Sequence, residues 1–245
     1  MTTIKAVTFD FWQTLVEDSS ENLAKQQARR IDEITRALKR AGCRLSRREV
    51  EAAYEHSGQV LDERFWSRDR DPAIADQVRL VLDIAAPGIS ASLEPGHLQE
   101  AVTGYTEPVL HFPPDLHPGA AEAVNGLAAR GIALGIVSNT GRTPGIVLRQ
   151  ILERYDLLRH FSAISYSDEV GYRKPDPEIF RRTLAMLGAE ARHAAHVGDN
   201  PIADVTGAQG AGMRGVHLAA GGRQAAAHAD VVVTDLRHLV DRLLA

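Results

Sequence analysis

"AVTFDFWQTLVED", residues 6–18, runs apolar and then breaks at a single carboxylate, Asp10, with an indole, Trp12, two positions on. From Ile4 to Phe9 the chain reads as a strand buried on both sides, the mark of a parallel sheet rather than a half-exposed hairpin. In open α/β sheets ligands sit beyond the carboxyl ends of the strands, which is where Asp10 falls. Further strand-like runs occur at residues 132–137, 163–165, 194–197, 215–218 and 231–233. From Pro118 onward they alternate with helix-like segments at 119–130, 144–155, 177–187, 201–210 and 236–244. Strand–helix alternation with short connections means crossover units. The expected fold is therefore α/β, a Rossmann-like parallel sheet core. Asp10, Ser138 and Asp199 each follow a strand run, so all three should meet at one edge of the sheet.

Residues 17–112 break this rhythm and read as wholly helical. Leu23, Ile31, Ile34 and Leu38 keep helical spacing up to Gly42, a plausible stop. Ser46-Arg47-Arg48-Glu49 has the form of a capping box. Asp71-Pro72 is read as opening a third helix, with Ile74, Val78, Val81, Leu82 and Ala85 facing inward, and a fourth is expected over 97–105. Loops rich in Pro and Gly bound the segment, notably "HFPPDLHPG" at 111–119. The expected organisation is a core of residues 1–16 and 113–245, with a helical, four-helix-bundle-like cap of residues 17–112 inserted after the first strand.

The composition excludes several classes of function. With 28 basic and 32 acidic residues, a net charge of −4 argues against a general nucleic-acid binder. One cysteine, Cys43, leaves no intrachain disulfide. No apolar stretch reaches the ~20 residues needed to span a bilayer, and the strand-like start leaves no room for a signal peptide. A cytoplasmic protein with no membrane partner is expected. The histidines show no His-x-x-x-His spacing, so a zinc site is not expected.

Four separated pieces carry chemistry. They are Asp10 to Leu15, "GIVSNTG" at 135–141, "GYRKPDPEIF" at 171–180 and "HVGDNPIADVTGAQGAGM" at 196–213. Each has an ordinary structural use. Asp10 can cap a turn, Ser138 can form a local hydroxyl turn, and Lys174 before proline can be solvated. Asp199 and Asp204 can cap a helix, although two carboxylates at such a turn suit a hard cation. A further stretch, "DERFWSRDRDP" at 62–72, sets Arg64, Arg68 and Arg70 around Phe65 and Trp66. It reads as a helix end with solvated charges, or as a contact for an anionic substrate.

In this order, on an alternating α/β frame, the four pieces resemble the haloacid dehalogenase superfamily, over residues 4–15 and 117–235. The resemblance implies a hydrolase that forms an aspartyl ester on Asp10. Thr14 and Ser138 match the hydroxyls that bind the transferred group, with Asn139 beside them. Lys174 matches the lysine that neutralises nucleophile and phosphate. Asp199 matches a Mg2+ ligand, Asp204 a supporting acid, and the Trp12 backbone carbonyl a further ligand alongside Asp10. The implied partner is a small anionic substrate.

Trp12 departs from the pattern. In the superfamily's phosphatases that position is the aspartate that protonates the leaving alcohol and activates water. Indole has one N–H donor and no accessible acid–base equilibrium. A Mg2+-dependent phosphomonoesterase is the leading reading, its acid–base group lost or drawn from Glu17, Asp18, His56 or His111. A 2-haloacid dehalogenase is the alternative, because halide leaves without a proton and those enzymes carry an aromatic residue here. They use no Mg2+, however, and lack a "GDNPIAD"-type loop. A catalytically weak binding module is the third reading.

Overall fold

The computed structural model describes residues 3–244; residues 1, 2 and 245 of the expected core lie outside the described residues. The chain opens with β1 (Ala6–Phe9) and β2 (Val16–Glu17). Six helices follow: α1 (Ser20–Arg40), α2 (Arg47–Arg64), α3 (Ile74–Ala85), α4 (Ile89–Ser92), α5 (Pro95–Thr106) and α6 (Pro108–His111). Then come β3 (Asp115–Leu116), α7 (Ala120–Ala128), β4 (Ala133–Ser138), α8 (Gly145–Arg154), β5 (Phe161–Tyr166), α9 (Ser167–Val170) and α10 (Pro177–Leu187). The chain ends through β6 (Ala194–Gly198), α11 (Gly207–Gly210), β7 (Arg214–Leu218), β8 (Val231–Val233) and α12 (Leu239–Leu244).

Six strands form one parallel sheet in the order β5-β4-β1-β6-β7-β8. The chain moves outward from β1 through β4 to β5, then returns to the other side of β1 with β6. That reversal makes the carboxyl end of β1 a topological switch point, where doubly wound sheets bind ligands. Phe9 pairs with Ile136 on one side and Val197 on the other, so Asp10, Ser138 and Asp199 come to one edge. All four residues of β1 are buried. Phe9, Val124, Leu148 and Leu239 belong to one apolar cluster, and Ala6, Ile179, Phe180 and Ala208 to another. Burial from both sides is what the unbroken apolar run requires.

The helical segment has its own apolar cluster, drawn from Ile31, Ile34, Leu38, Val50, Val78, Leu82 and Tyr105. α1 packs on α2 and α5, α2 on α3, and α3 on α5, closing a ring of four helices. Gly104 allows the α1–α5 approach, since a Cβ there would lie 2.6 Å from that of Glu33. The capping box at Ser46 forms as expected, with Glu49 closing it reciprocally.

Three local expectations are corrected. Residues 17–112 are not wholly helical: Glu17 belongs to β2, which pairs antiparallel with β3 inside the loop of residues 111–119. Two-residue strands are too short to leave a periodic signal. Leu23 does not face the helical core but is 49% exposed, on the wall of a cleft described below. Asp71 does not open α3, which begins at Ile74.

Asp71 instead points into the protein and is 5% exposed. Its carboxylate accepts from Trp66 Nε1 (2.9 Å), Gln77 Nε2 (3.3 Å), Ser167 Oγ (2.6 Å) and Arg173 (2.9 Å). Around it Arg70 pairs with Asp176 at 2.6 Å and stacks on Tyr172, and Arg173 N–H donates to the Asp69 carbonyl at 2.9 Å. Arg64 and Arg68 are exposed at the end of α2, whereas Trp66 and residues 69–71 form a clasp that ties the α2–α3 connection to the loop carrying Lys174. No described helix is long and apolar enough to cross a membrane.

Asp71→Ala should lower the unfolding free energy by about 3 kcal/mol, because it leaves Arg173 and three further donors without their acceptor. Denaturant titration checks this; a loss under about 0.5 kcal/mol would show that the clasp does not hold the segments together.

Candidate active site

β1, β4 and β6 deliver the functional side chains to one edge, and the loop before α10 brings Lys174 over it. Lys174 is 4% exposed, and its Nζ lies 2.7 Å from Asp10 Oδ1 and 2.6 Å from Asp204 Oδ1. Asp204 is fully buried and its oxygens are committed. Oδ1 is also 3.1 Å from His196 Nε2, and Oδ2 accepts from the Asn200 N–H at 2.8 Å. Behind it, His196 Nδ1 is 2.8 Å from Thr8 Oγ1. Asp199 hydrogen-bonds Arg223, whose side chain is 44% exposed. Carboxylate oxygens of Asp10, Asp199 and Asp204 all lie within 4.8 Å of one another.

The backbone explains how two carboxylates of one loop come so close. After β6, Asn200 caps a π-helical turn, residues Pro201–Thr206, by accepting from the N–H groups of Ile202 and Ala203. Such turns are uncommon and concentrate at functional sites. The turn folds Asp204 back beneath Gly198, where a Cβ would come within 2.1 Å of the Asp204 carboxyl carbon.

The electrostatics follow from burial and from one lysine shared among acids. Burial pushes the Asp10 carboxyl above its ordinary value, against the opposing pull of Lys174. Burial also acts to raise Asp204, but Lys174 and then His196 outweigh it and hold that group well below the usual range. Desolvation works against the Lys174 charge, yet Asp10 and Asp204 together raise its pKa. Burial lowers His196, keeping the ring neutral. Asp199 is pushed up to about 6 by burial and by the charges of Asp10 and Asp204, with Arg223 opposing.

The remaining expected residues are placed as follows. Thr14 Oγ1 and Ser138 Oγ are buried with no hydrogen-bond partner among the described residues. Unmet buried hydroxyls cost stability until water or a ligand supplies the missing partner. Asn139 is engaged with the lysine loop: its Nδ2 donates to the Lys174 carbonyl at 3.0 Å, and its Oδ1 accepts from the Lys174 N–H at 2.8 Å. Trp12 packs edge-on against Phe11, with ring centroids 4.9 Å apart, and lines a cavity of ≈ 250 Å³ between the sheet edge and the helical segment. Of the four groups considered as an acid–base source, His56, His111 and Glu17 are exposed, and none lines that cavity. Asp18 touches its wall indirectly, through a 2.7 Å hydrogen bond from Gln26.

His196, Gly198 and Arg223 escaped the sequence reading. Only His196 left a signal, as a polar residue inside the apolar run at 194–197. Gly198→Ala should cost about 1–3 kcal/mol through overpacking against Asp204. Unchanged thermal stability in that variant would show that the turn relaxes freely.

A family model described as haloacid dehalogenase-like hydrolase matches residues 4–212. A phosphoserine phosphatase from Thermus thermophilus is 40% identical over 126 residues, 51% of this chain and 49% of that protein. A phosphoglycolate phosphatase from Rhodospirillum rubrum is 38% identical over 109 residues, 42% of this chain and 44% of that protein. The chain spans about half the length of these curated relatives. Among solved structures, a 2-haloacid dehalogenase from Pseudomonas syringae superposes with a TM-score of 0.73 at 27% identity, covering 98% of both chains.

Proposed function

The chain belongs to the haloacid dehalogenase-like hydrolase family, and from that premise we propose that it is a Mg2+-dependent phosphomonoesterase working through an aspartyl phosphate on Asp10. The observation that carries this reading is the cluster of three carboxylates within 4.8 Å, set against one buried lysine. The surplus negative charge and the all-oxygen donors fit a hard divalent cation. Asp204, with both oxygens engaged inside the protein, is a supporting group. Asp10, Asp199 and the Trp12 carbonyl would hold the ion. When bound, Mg2+ offsets the repulsion between an anionic nucleophile and an anionic ester.

The chain's own residues supply the rest. Lys174 holds Asp10 in place and neutralises the phosphoryl charge that approaches it. Thr14 and Ser138 donate their unmet hydroxyls to phosphoryl oxygens. Asp10 then attacks phosphorus in line with the leaving alkoxide, which takes a proton from solvent, and water later attacks the aspartyl phosphate, giving up a proton to solvent as phosphate leaves and the carboxylate is restored. Residues 17–112 act in this reading as a cap over the core of residues 1–16 and 113–245, closing on a small anionic substrate. Phosphatase names among the relatives support the same direction.

The second reading is a 2-haloacid dehalogenase, favoured by the structural likeness to such an enzyme and by the aromatic Trp12. A panel of phosphate esters and 2-haloacids, assayed with and without Mg2+, separates the two. Chelation should abolish phosphate-ester hydrolysis and Asp199→Ala should weaken Mg2+ binding most; full activity in excess chelator would favour dehalogenation. Asp10→Asn should lower turnover of any substrate by at least about 10³-fold while leaving the circular dichroism spectrum unchanged. Most of the activity surviving in that variant would remove Asp10 as nucleophile.

Because the Trp12 indole cannot shuttle protons, aryl and acyl phosphates should turn over much faster than alkyl phosphates. Trp12→Asp should raise alkyl-ester hydrolysis selectively, by no more than the ~10²–10⁴ that acid–base catalysis supplies. Equal rates on matched aryl and alkyl esters, unchanged by the substitution, would show that another group provides the proton.

A further inference from the structure

Arg30 of α1 is the one arginine buried among the described residues, at 5% exposure, and no ion pair with a described carboxylate compensates it. Its neighbours in α1, Arg29 and Arg36, both pair with Glu33. Arg30 is held by neutral acceptors instead: the Tyr105 carbonyl at 2.5 Å, Tyr54 Oη at 3.1 Å and Thr143 Oγ1 at 3.5 Å. Facing it from the sheet side is Arg142, half-buried and also without a carboxylate partner among the described residues. Arg142 donates to Ser57 Oγ (3.1 Å), Tyr105 Oη (2.9 Å) and the Tyr54 carbonyl (3.1 Å). Both guanidiniums lie over the same two rings. Arg142 is 4.0 Å from the Tyr54 centroid and Arg30 is 5.2 Å from that of Tyr105.

A desolvated cation such as Arg30 without an anion is costly, and a second guanidinium over the same two rings adds repulsion. Aromatic faces soften this but carry no net charge. The hydrogen bonds leave each guanidinium fixed in place with further N–H donors available, since the fork has five. Both arginines line the ≈ 250 Å³ cavity walled by Trp12, together with Thr140. Trp12 is two residues beyond Asp10, and Thr140 two beyond Ser138, so the cavity adjoins the carboxylate site.

We propose that Arg30 and Arg142 form a subsite for a second oxyanion of the substrate, a carboxylate or a second phosphate, at the end remote from the group transferred to Asp10. The inference rests on the phosphomonoesterase reading and names its substrate class: short phosphate esters whose alcohol portion is itself anionic. One oxyanion between the two guanidiniums accepts charge-assisted hydrogen bonds from both and relieves their repulsion. Trp12 then serves as the wall between the two anions of the substrate.

The test compares 2-phosphoglycolate, ethylene glycol bisphosphate and 2-hydroxyethyl phosphate with the Mg2+-loaded wild type, Arg142→Gln and Arg142→Lys. For the wild type, kcat/KM should be at least about tenfold higher on one or both doubly anionic esters, carried mainly by KM. Whichever of the two leads identifies the oxyanion as carboxylate or phosphate. Arg142→Gln should shrink the ratio to the neutral-tailed ester by about 10–100-fold, and Arg142→Lys should restore part of it. Hydrolysis of all three esters with equal efficiency would overturn the subsite while leaving the phosphomonoesterase reading intact. A second measurement stands apart from turnover: glycolate and inorganic phosphate are titrated against the tryptophan fluorescence of a Trp66→Phe background, in which Trp12 is the reporter. Saturable quenching that Arg142→Gln weakens at least about tenfold supports the subsite even if no ester is hydrolysed, the result that would sink the phosphomonoesterase reading. Quenching that is absent, or indifferent to Arg142→Gln, overturns the subsite.

Discussion

The Lys174 ammonium, buried between Asp10 and Asp204, is the contact on which the rest of this molecule converges. A lysine this deep remains charged because two carboxylates face it, and the carboxylates tolerate burial because it is there. Each partner arrives from a different part of the chain: Asp10 from the end of β1, Asp204 from the π-helical turn after β6, and Lys174 from the loop before α10. Moving any one of these segments strands a charge in the interior. The fold is accordingly most constrained at this edge, where Gly198 admits no side chain and Asn139 grips the lysine loop by both ends of its amide.

The same loop couples this contact to the helical segment. Asp71 collects donors from Trp66 and Gln77 on the helical side and from Ser167 and Arg173 on the sheet side. Gln77 in turn donates to the Gly141 carbonyl, three residues past Ser138. The α2–α3 connection is thereby tied to two of the sheet-edge loops at once. Of the charged stretch at 62–72, Arg70 and Asp71 serve that junction, Arg70 meeting Asp176 and the Tyr172 ring and Asp71 meeting Arg173, which lies over Trp66, while Arg64 and Arg68 are exposed.

Across the cleft, charge is arranged in opposite senses. The sheet edge carries more carboxylate than cation, while the wall formed by α1, α2 and the Arg142 loop carries two guanidiniums and no described carboxylate partner. Trp12 stands between them, an apolar plate with one donor. The indole cannot ion-pair with either arginine lining the same cavity, so its presence bears on what the cleft binds as much as on how protons move.

The sequence by itself determined the strand order along the chain, the alternation of strand and helix, and the edge at which Asp10, Ser138 and Asp199 gather. These follow from local periodicity, because a doubly covered parallel strand must be apolar on both faces and its first polar residue must lie past its end. The capping box at Ser46 and family membership were legible for the same reason, as short patterns with fixed spacing. The sequence showed neither the β2–β3 pairing, the turn of Asp71 into the junction, the binding of Asn139 to the lysine loop, nor the approach of Arg30 to Arg142. One of those pairings, Asp71 with Arg173, joins residues 102 positions apart, and no local pattern records them. Tertiary packing decided them: sheet-edge loops meeting one another bind Asn139 to the Lys174 loop, and the helical segment packing on that edge buries Asp71 and brings Arg30 and Arg142 over the same two tyrosine rings.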